Sequence, residues 1–226
     1  MGETGLRGAD TQGLWPVILS YTLFIYKHFL IAYMKNICIY CASSDLIPGK
    51  YFDAARELGH LIGRRGMTVI NGAGNMGLMK ATADACMEAG GEAIGIIPTF
   101  MVKENWHYTK MTRLIETSDM HSRQQKMAEM SDAGIVLAGG LGTLAELSEL
   151  ITWKQLGIHL KPIVLLNTDG YYDELLSFLD KGMKEHFLSR EHMATFVVAT
   201  TPEEALDLAL NTPMWDAGVR KFAKLT

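Results

Sequence analysis

From residue 35 onward the apolar positions fall into two rhythms that alternate along the chain. Short, almost wholly apolar runs (KNICIYCAS, MTVINGAG, EAIGIIP, RLIETS, AGIVLAGG, KPIVLLN and FVVATT) have the pattern of strands buried on both faces. Between them lie longer segments whose apolar residues recur every three or four positions. These are YFDAARELGHLIGRRG, GLMKATADACMEAGG, a helix from about Met120, a long one from Thr143, YYDELLSFLDKGMKEHF and PEEALDLAL. The stretch from Lys103 to Thr112 reads as a polar loop. Strand and helix repeated in this way predict an α/β fold: a parallel sheet with helices on both faces. The last helix has the best marked start, with Thr201 as N-cap, Pro202 at N1 and Glu204 as capping-box partner.

The first 33 residues depart from this rhythm. A polar start, MGETGLRGADTQG, leads into the nearly all-apolar LWPVILSYTLFIYKHFLIAY. Lys27 and His28 interrupt that run, whereas a spanning helix needs about 20 apolar residues, and no small-residue cleavage site follows. The expectation is an extension at 1–33 ahead of a single domain at 34–226. A helix packed on the domain or on a partner, and a membrane anchor within 15–33, are the other readings.

Composition narrows the function classes. A chain of 226 residues can build one sizeable core without disulfides or metal. With a net charge of −4 and no stripe of Lys and Arg, nothing suits a nucleic-acid backbone. Cys38 and Cys41 form CIYC, but in a strand positions three apart face opposite ways, so the pair reads as core packing. Three cysteines without a second C-x-x-C fit a reducing cytoplasm. Seven scattered histidines, without H-E-x-x-H, give no metal site.

Ligands of such a fold bind beyond the carboxyl ends of the strands. Three loops qualify there: CASS with Ser44, NGAGNMG with Gly74, and AGGLGT with Gly139, Gly140, Gly142 and Thr143. A glycine loop feeding a helix N-terminus offers backbone N–H groups and a favourable dipole to an anion, and phosphate is the first choice. Gly72 to Gly77 match G-x-G-x-x-G, yet a dinucleotide site also needs an acidic residue at the end of the next strand. Glu92 has the separation but opens its strand instead of closing it, so a mononucleotide is favoured over NAD. Thr143 and Glu146 have capping-box spacing, and Glu146 would equally place a carboxylate beside whatever the glycines hold. Glu149 and Thr152 continue that helical face. Arg123 sits near the start of a helix whose Met127 and Met130 face the core.

AGGLGTLAE, Arg123 within MHSRQQKMAEM, ITWKQLGIHLKP and LLNTDGYYDELLSFL together resemble the Lonely-guy family of cytokinin riboside 5′-monophosphate phosphoribohydrolases, some of which carry the label lysine decarboxylase. The resemblance runs from about Lys35 to Leu210. It implies a Rossmann-like fold, a homodimer or larger assembly of dimers, and hydrolysis of a purine nucleoside 5′-monophosphate such as AMP to free base and ribose 5-phosphate. It implies no cofactor. Arg123 and Glu146 take the catalytic positions and Thr152 a binding position. Two residues depart from the pattern: Ala138 stands where the family has proline, and Gln124 where it has lysine. The first is mild, while the second removes a cation beside the pocket and bears on phosphate affinity or base preference.

Glycoside cleavage develops positive charge on the ribose, which a carboxylate near the anomeric carbon stabilises while it orients or deprotonates water; Glu146 fits that role. Arg123 stays protonated and serves as a fixed donor. An apolar slot for an N6 substituent would draw on Met76, Met79 or Trp106. Two rivals remain at this point. Decarboxylation would need a Schiff-base lysine, with Lys80, Lys126 and Lys154 as candidates, and pyridoxal phosphate. A non-catalytic nucleotide or cofactor binder would need neither Arg123 nor Glu146 in place.

Overall fold

The computed structural model of the protein describes residues 35–218, so the expectations for the N-terminal extension and its apolar run fall outside the described residues. Among the described residues seven parallel strands form one sheet: β1 (Asn36–Tyr40), β2 (Thr68–Asn71), β3 (Glu92–Pro98), β4 (Arg113–Thr117), β5 (Ala133–Val136), β6 (Ile163–Leu166) and β7 (Val197–Ala199). The connecting helices are α1 (Gly49–Arg64), α2 (Gly77–Glu88), α3 (Thr99–Lys103), α4 (Met120–Met130), α5 (Leu141–Gln155), α6 (Asp173–Lys184) and α7 (Pro202–Asn211).

Strand order is β4-β3-β2-β1-β5-β6-β7. The chain winds outward from β1 to β4, then returns to β5 and winds the other way. That reversal opens a crevice at the carboxyl ends of β1 and β5, where doubly wound folds bind their ligands. The alternation along β1 explains the two helix layers. Cys38 and Tyr40 pack with Met127 of α4 and with Leu147 and Leu150 of α5. Ile37 and Ile39 point the other way and are buried as well. α1 packs against α2 and α7. All three cysteines are free and buried.

Two local expectations give way. The stretch read as a polar loop begins inside α3, and its remainder is tied to the loop after β2. Gly74 and His107 form an antiparallel bridge. The Asn75 N–H donates to the Trp106 carbonyl at 3.1 Å and the Tyr108 N–H to the Ala73 carbonyl at 2.8 Å. Met101, Trp106 and Tyr108 give this otherwise polar segment apolar surface to pack. The second correction concerns the capping box. Helix α5 starts at Leu141 with Gly140 as N-cap and no side-chain cap bond, so Thr143 is its third residue. Glycine caps adequately here, which leaves the Thr143 hydroxyl and the Glu146 carboxylate outside any capping box. The start of α7 is as read: Thr201 Oγ1 accepts from the Glu204 N–H at 3.2 Å.

Candidate active site

A cleft of ≈ 720 Å³ lies over the crevice, bounded by the loops after β1, β2 and β5 and by the α3 segment. Its polar floor is built from α4 and α5. Asp119 caps α4, its carboxylate accepting the Ser122 N–H at 2.8 Å, and this fixes the first turn that carries Arg123. Arg123 is only 8% exposed, and its Nη2 lies 3.4 Å from Glu146 Oε1. Its Nη1 meets the Met120 sulfur at 3.7 Å, while its buried Nε has no hydrogen-bond partner among the described residues. A buried donor left open beside a cleft is an offer to a ligand.

Glu146, one turn beyond Thr143 on α5, is 9% exposed. Burial pushes its carboxyl above the usual glutamate range; the Arg123 guanidinium pulls the other way and Glu149 adds to the rise. Burial also raises Glu149, against a lowering by His121. The site therefore pairs a fixed cation with a carboxylate made more basic by its surroundings, which is the condition of a carboxylate that accepts a proton or answers a nascent cation.

The loop after β5 is the candidate anion seat. The N–H groups of Leu141, Gly142 and Thr143 open α5 and have no carbonyl behind them within the helix. A Cβ built at Gly140 or Gly142 meets nothing within 4 Å, so no neighbour demands glycine there and the space belongs to the cleft. Gly139 differs, because a Cβ there would overlap the Thr143 hydroxyl and sit 2.6 Å from its Cβ. Behind the loop, the Tyr172 hydroxyl donates to the Leu137 carbonyl at 2.7 Å and the Tyr171 hydroxyl to the Gly139 carbonyl at 2.9 Å. The helix α2 has the other N-terminus in this region, and it is already satisfied. Its Gly77 N–H donates to the Asp45 carboxylate at 2.8 Å and its Leu78 N–H to the Ala42 carbonyl at 2.9 Å. The glycine fingerprint of residues 72–77 thus ends on a helix whose anion position holds the chain's own carboxylate.

Of the residues singled out from sequence, Arg123, Glu146, Gly140, Gly142, Thr143 and Gly74 line the cleft. Gly139, Ser44 and Thr152 do not: Gly139 is packed against Thr143 with its carbonyl held by Tyr171, Ser44 Oγ accepts the Leu46 N–H at 3.1 Å, and the exposed Thr152 hydroxyl donates to the Ser148 carbonyl at 2.8 Å. From the loop after β1 it is Ser43, beside Cys41, that reaches the cleft. Gln124 lines it too, so the family's cation is replaced there by an amide. The opposite wall is apolar, with Met76, Met79, Met101 and Trp106, and Met120 adds apolar surface beside Arg123. Met120 was legible from its place one turn before Arg123. Tyr171 and Tyr172 were within the quoted stretch, but nothing local marks them as partners of a loop more than 30 residues away.

A doubly wound sheet with an open helix N-terminus and a buried Arg–Glu pair at its switch point defines a Rossmann-like α/β protein with its cleft where such folds bind ligands. A family model described as "Possible lysine decarboxylase" matches residues 79–209. A probable cytokinin riboside 5′-monophosphate phosphoribohydrolase of Oryza sativa subsp. japonica is 42% identical over 189 residues, 83% of this chain and 76% of that one. A cytokinin riboside 5′-monophosphate phosphoribohydrolase of Arabidopsis thaliana is 43% identical over 170 residues, 75% and 79% of the two chains. The chain belongs to this Lonely-guy family of phosphoribohydrolases and is a hydrolase. Among solved structures, the molybdenum cofactor binding protein of Rippkaea orientalis superposes with a TM-score of 0.60 at 24% identity, covering 77% of this chain and 94% of that one. The Moco carrier protein of Chlamydomonas reinhardtii does so with 0.58 at 23%, covering the same shares. These two share the Rossmann-like fold.

The decarboxylase wording invites pyridoxal phosphate, and the residues do not suit it. Among the described residues no lysine lines the cleft. Lys80 pairs with Asp84 at 2.5 Å. Burial lowers Lys154 to about 8, a value suited to a Schiff base, but its amine is spent on the Thr195 carbonyl at 2.8 Å.

Proposed function

We propose that the protein hydrolyses the N-glycosidic bond of a purine nucleoside 5′-monophosphate, either AMP or an N6-substituted cytokinin nucleotide, releasing the free base and ribose 5-phosphate. The observation that carries this reading is the buried Arg123–Glu146 pair on the same cleft as the open N-terminus of α5. The 5′-phosphate sits on the N–H groups of Leu141, Gly142 and Thr143, with the Thr143 hydroxyl beside them. From Leu141 to Glu146 the helix rises by about 7.5 Å, room for the ribose between phosphate and carboxylate. Glu146 faces the anomeric carbon, stabilises the oxocarbenium-like transition state, and orients and deprotonates the attacking water. Arg123 holds its charge throughout and uses its open Nε–H to bind the nucleotide. The purine lies toward Met76, Met79 and Trp106, where an N6 isopentenyl group finds apolar surface.

The test is base release, followed by chromatography, from AMP, from N6-isopentenyladenosine 5′-monophosphate and from the two dephosphorylated ribosides. Release from the monophosphates alone is expected, and their relative rates rank the two bases. If none of the four yields free base, the protein is a nucleotide binder and the hydrolytic reading falls.

A further inference from the structure

The three glycines of the fingerprint loop are glycines for different reasons. Gly77 has φ +65, and a Cβ there would lie 2.5 Å from the Ser43 carbonyl carbon and 2.6 Å from the Ala42 oxygen; the fold requires it. Gly74 meets only the mobile end of Met79. Gly72 lies outside the left-handed region, so its backbone suits any residue, yet a Cβ there would overlap Arg123 Nη2. It would also stand 2.8 Å from Cζ and 3.2 Å from Nε of the same side chain. The three atoms nearest that Cβ all belong to one guanidinium. This is the group that approaches Glu146 and whose Nε is left open.

We infer that Gly72 is a positioning residue for catalysis: by lacking a side chain it leaves the space just beyond β2 that the Nη2 edge of the Arg123 guanidinium occupies beside Glu146. The inference rests on the role given to Arg123 and Glu146 above. A methyl at position 72 meets the far end of a long side chain instead of backbone, so the chain folds and the guanidinium swings away from its place. Two consequences distinguish this from a structural role. Gly72→Ala acts only through Arg123, so it has no further effect once Arg123 is removed. Glu146 loses the group that holds its carboxyl down. The other titratable groups facing it, Glu149 on its own helix and Cys38, Tyr40 and Cys41 from β1 and the residue following it, stay where they are.

The experiment is a double-mutant cycle on the full chain with Gly72→Ala, Arg123→Ala and both together. It is read by kcat and KM for AMP, melting temperature, and the Glu146 carboxyl titration by NMR, assigned with Glu146→Gln. Gly72→Ala is expected to lower kcat by about a hundredfold, the scale of a catalytic group displaced by an ångström. Melting temperature should be unchanged. The Glu146 titration should move to higher pH in Gly72→Ala and in Arg123→Ala by similar amounts, and no further in the double variant. A Glu146 titration unmoved by Gly72→Ala, or a loss equally large with Arg123 absent, overturns the inference. Should the wild type release no base, the hydrolytic reading fails, while the titrations still decide whether Gly72 places Arg123.

Discussion

The two glycine loops of the cleft look alike in sequence and are opposite in construction. In the loop after β2, Gly72 and Gly77 are filled in by the protein itself: Arg123 occupies the place of one Cβ and the backbone of residues 42 and 43 the place of the other. Asp45 then closes the N-terminus of the helix that follows. In the loop after β5, Gly140 and Gly142 face open space and lead into a helix whose first N–H groups are free. Glycine in the first loop serves packing, and in the second it leaves space open, which the proposed function gives to the phosphate. A glycine-rich signature becomes evidence for an anion site only when the space beside it is empty.

The largest separation between the loops comes from Glu146→Gln. The anion seat is left intact, so AMP binding measured by calorimetry should persist, while base release falls by about a thousandfold, within the range of a lost acid–base group. Equal turnover by the two proteins would remove Glu146 from the mechanism. The pH profile tests the same group in the wild type. The proposed role needs Glu146 ionised, and burial raises its carboxyl. Activity should therefore decline as pH falls through that raised value, about tenfold per pH unit, and from a higher pH than an exposed glutamate would give.

Gly77→Ala breaks the packed loop. Positive φ and contact with the backbone of Ser43 predict a loss of stability of at least about 2 kcal/mol, seen as a lower melting temperature. Gly140→Ala tests the open loop and should leave melting unchanged. It should weaken AMP binding by about tenfold, roughly 1.4 kcal/mol, without altering binding of adenosine. If Gly140→Ala instead unfolds the protein, the contrast between the loops is false. The smallest effect is expected at Ala73, a fully buried residue at φ +56. Ala73→Gly relieves that backbone strain but loses chain stiffness and a buried methyl, for a net change under about 1 kcal/mol in denaturant titration.

Strand and helix rhythm was enough to read every strand and to expect helices on both faces, because parallel strands buried on both sides, as β1, β2, β5 and β6 are, leave an unmistakable apolar run. What it missed lay where tertiary contacts outvote local pattern. The stretch around Trp106 is polar by composition and is organised by pairing with residues 73–75. The start of α5 was placed two residues late because Thr143 and Glu146 have the spacing of a cap, and a glycine cap leaves no such mark. For the site, the spacing after the glycine loop already marked Glu146 as a carboxylate beside the ligand, while Arg123 came from the family resemblance alone. Their burial, the open Nε and the guanidinium over Gly72 exist only once α4 and α5 are packed on the sheet. The difference between Ser43 and Ser44 was likewise invisible, since adjacent residues in a turn differ only by the direction in which the chain leaves the strand.

The paired tyrosines after β6 give the anion seat a polarity of its own. A peptide unit is planar, with its carbonyl and its N–H pointing opposite ways. When Tyr171 draws the Gly139 carbonyl backward, it turns the N–H of Gly140 forward, and Tyr172 does the same for the unit joining Leu137 to Ala138. Half of the glycine loop's grammar is therefore written in GYY, some 30 residues downstream, and the two stretches form one structural unit in which a change to either is read out at the other.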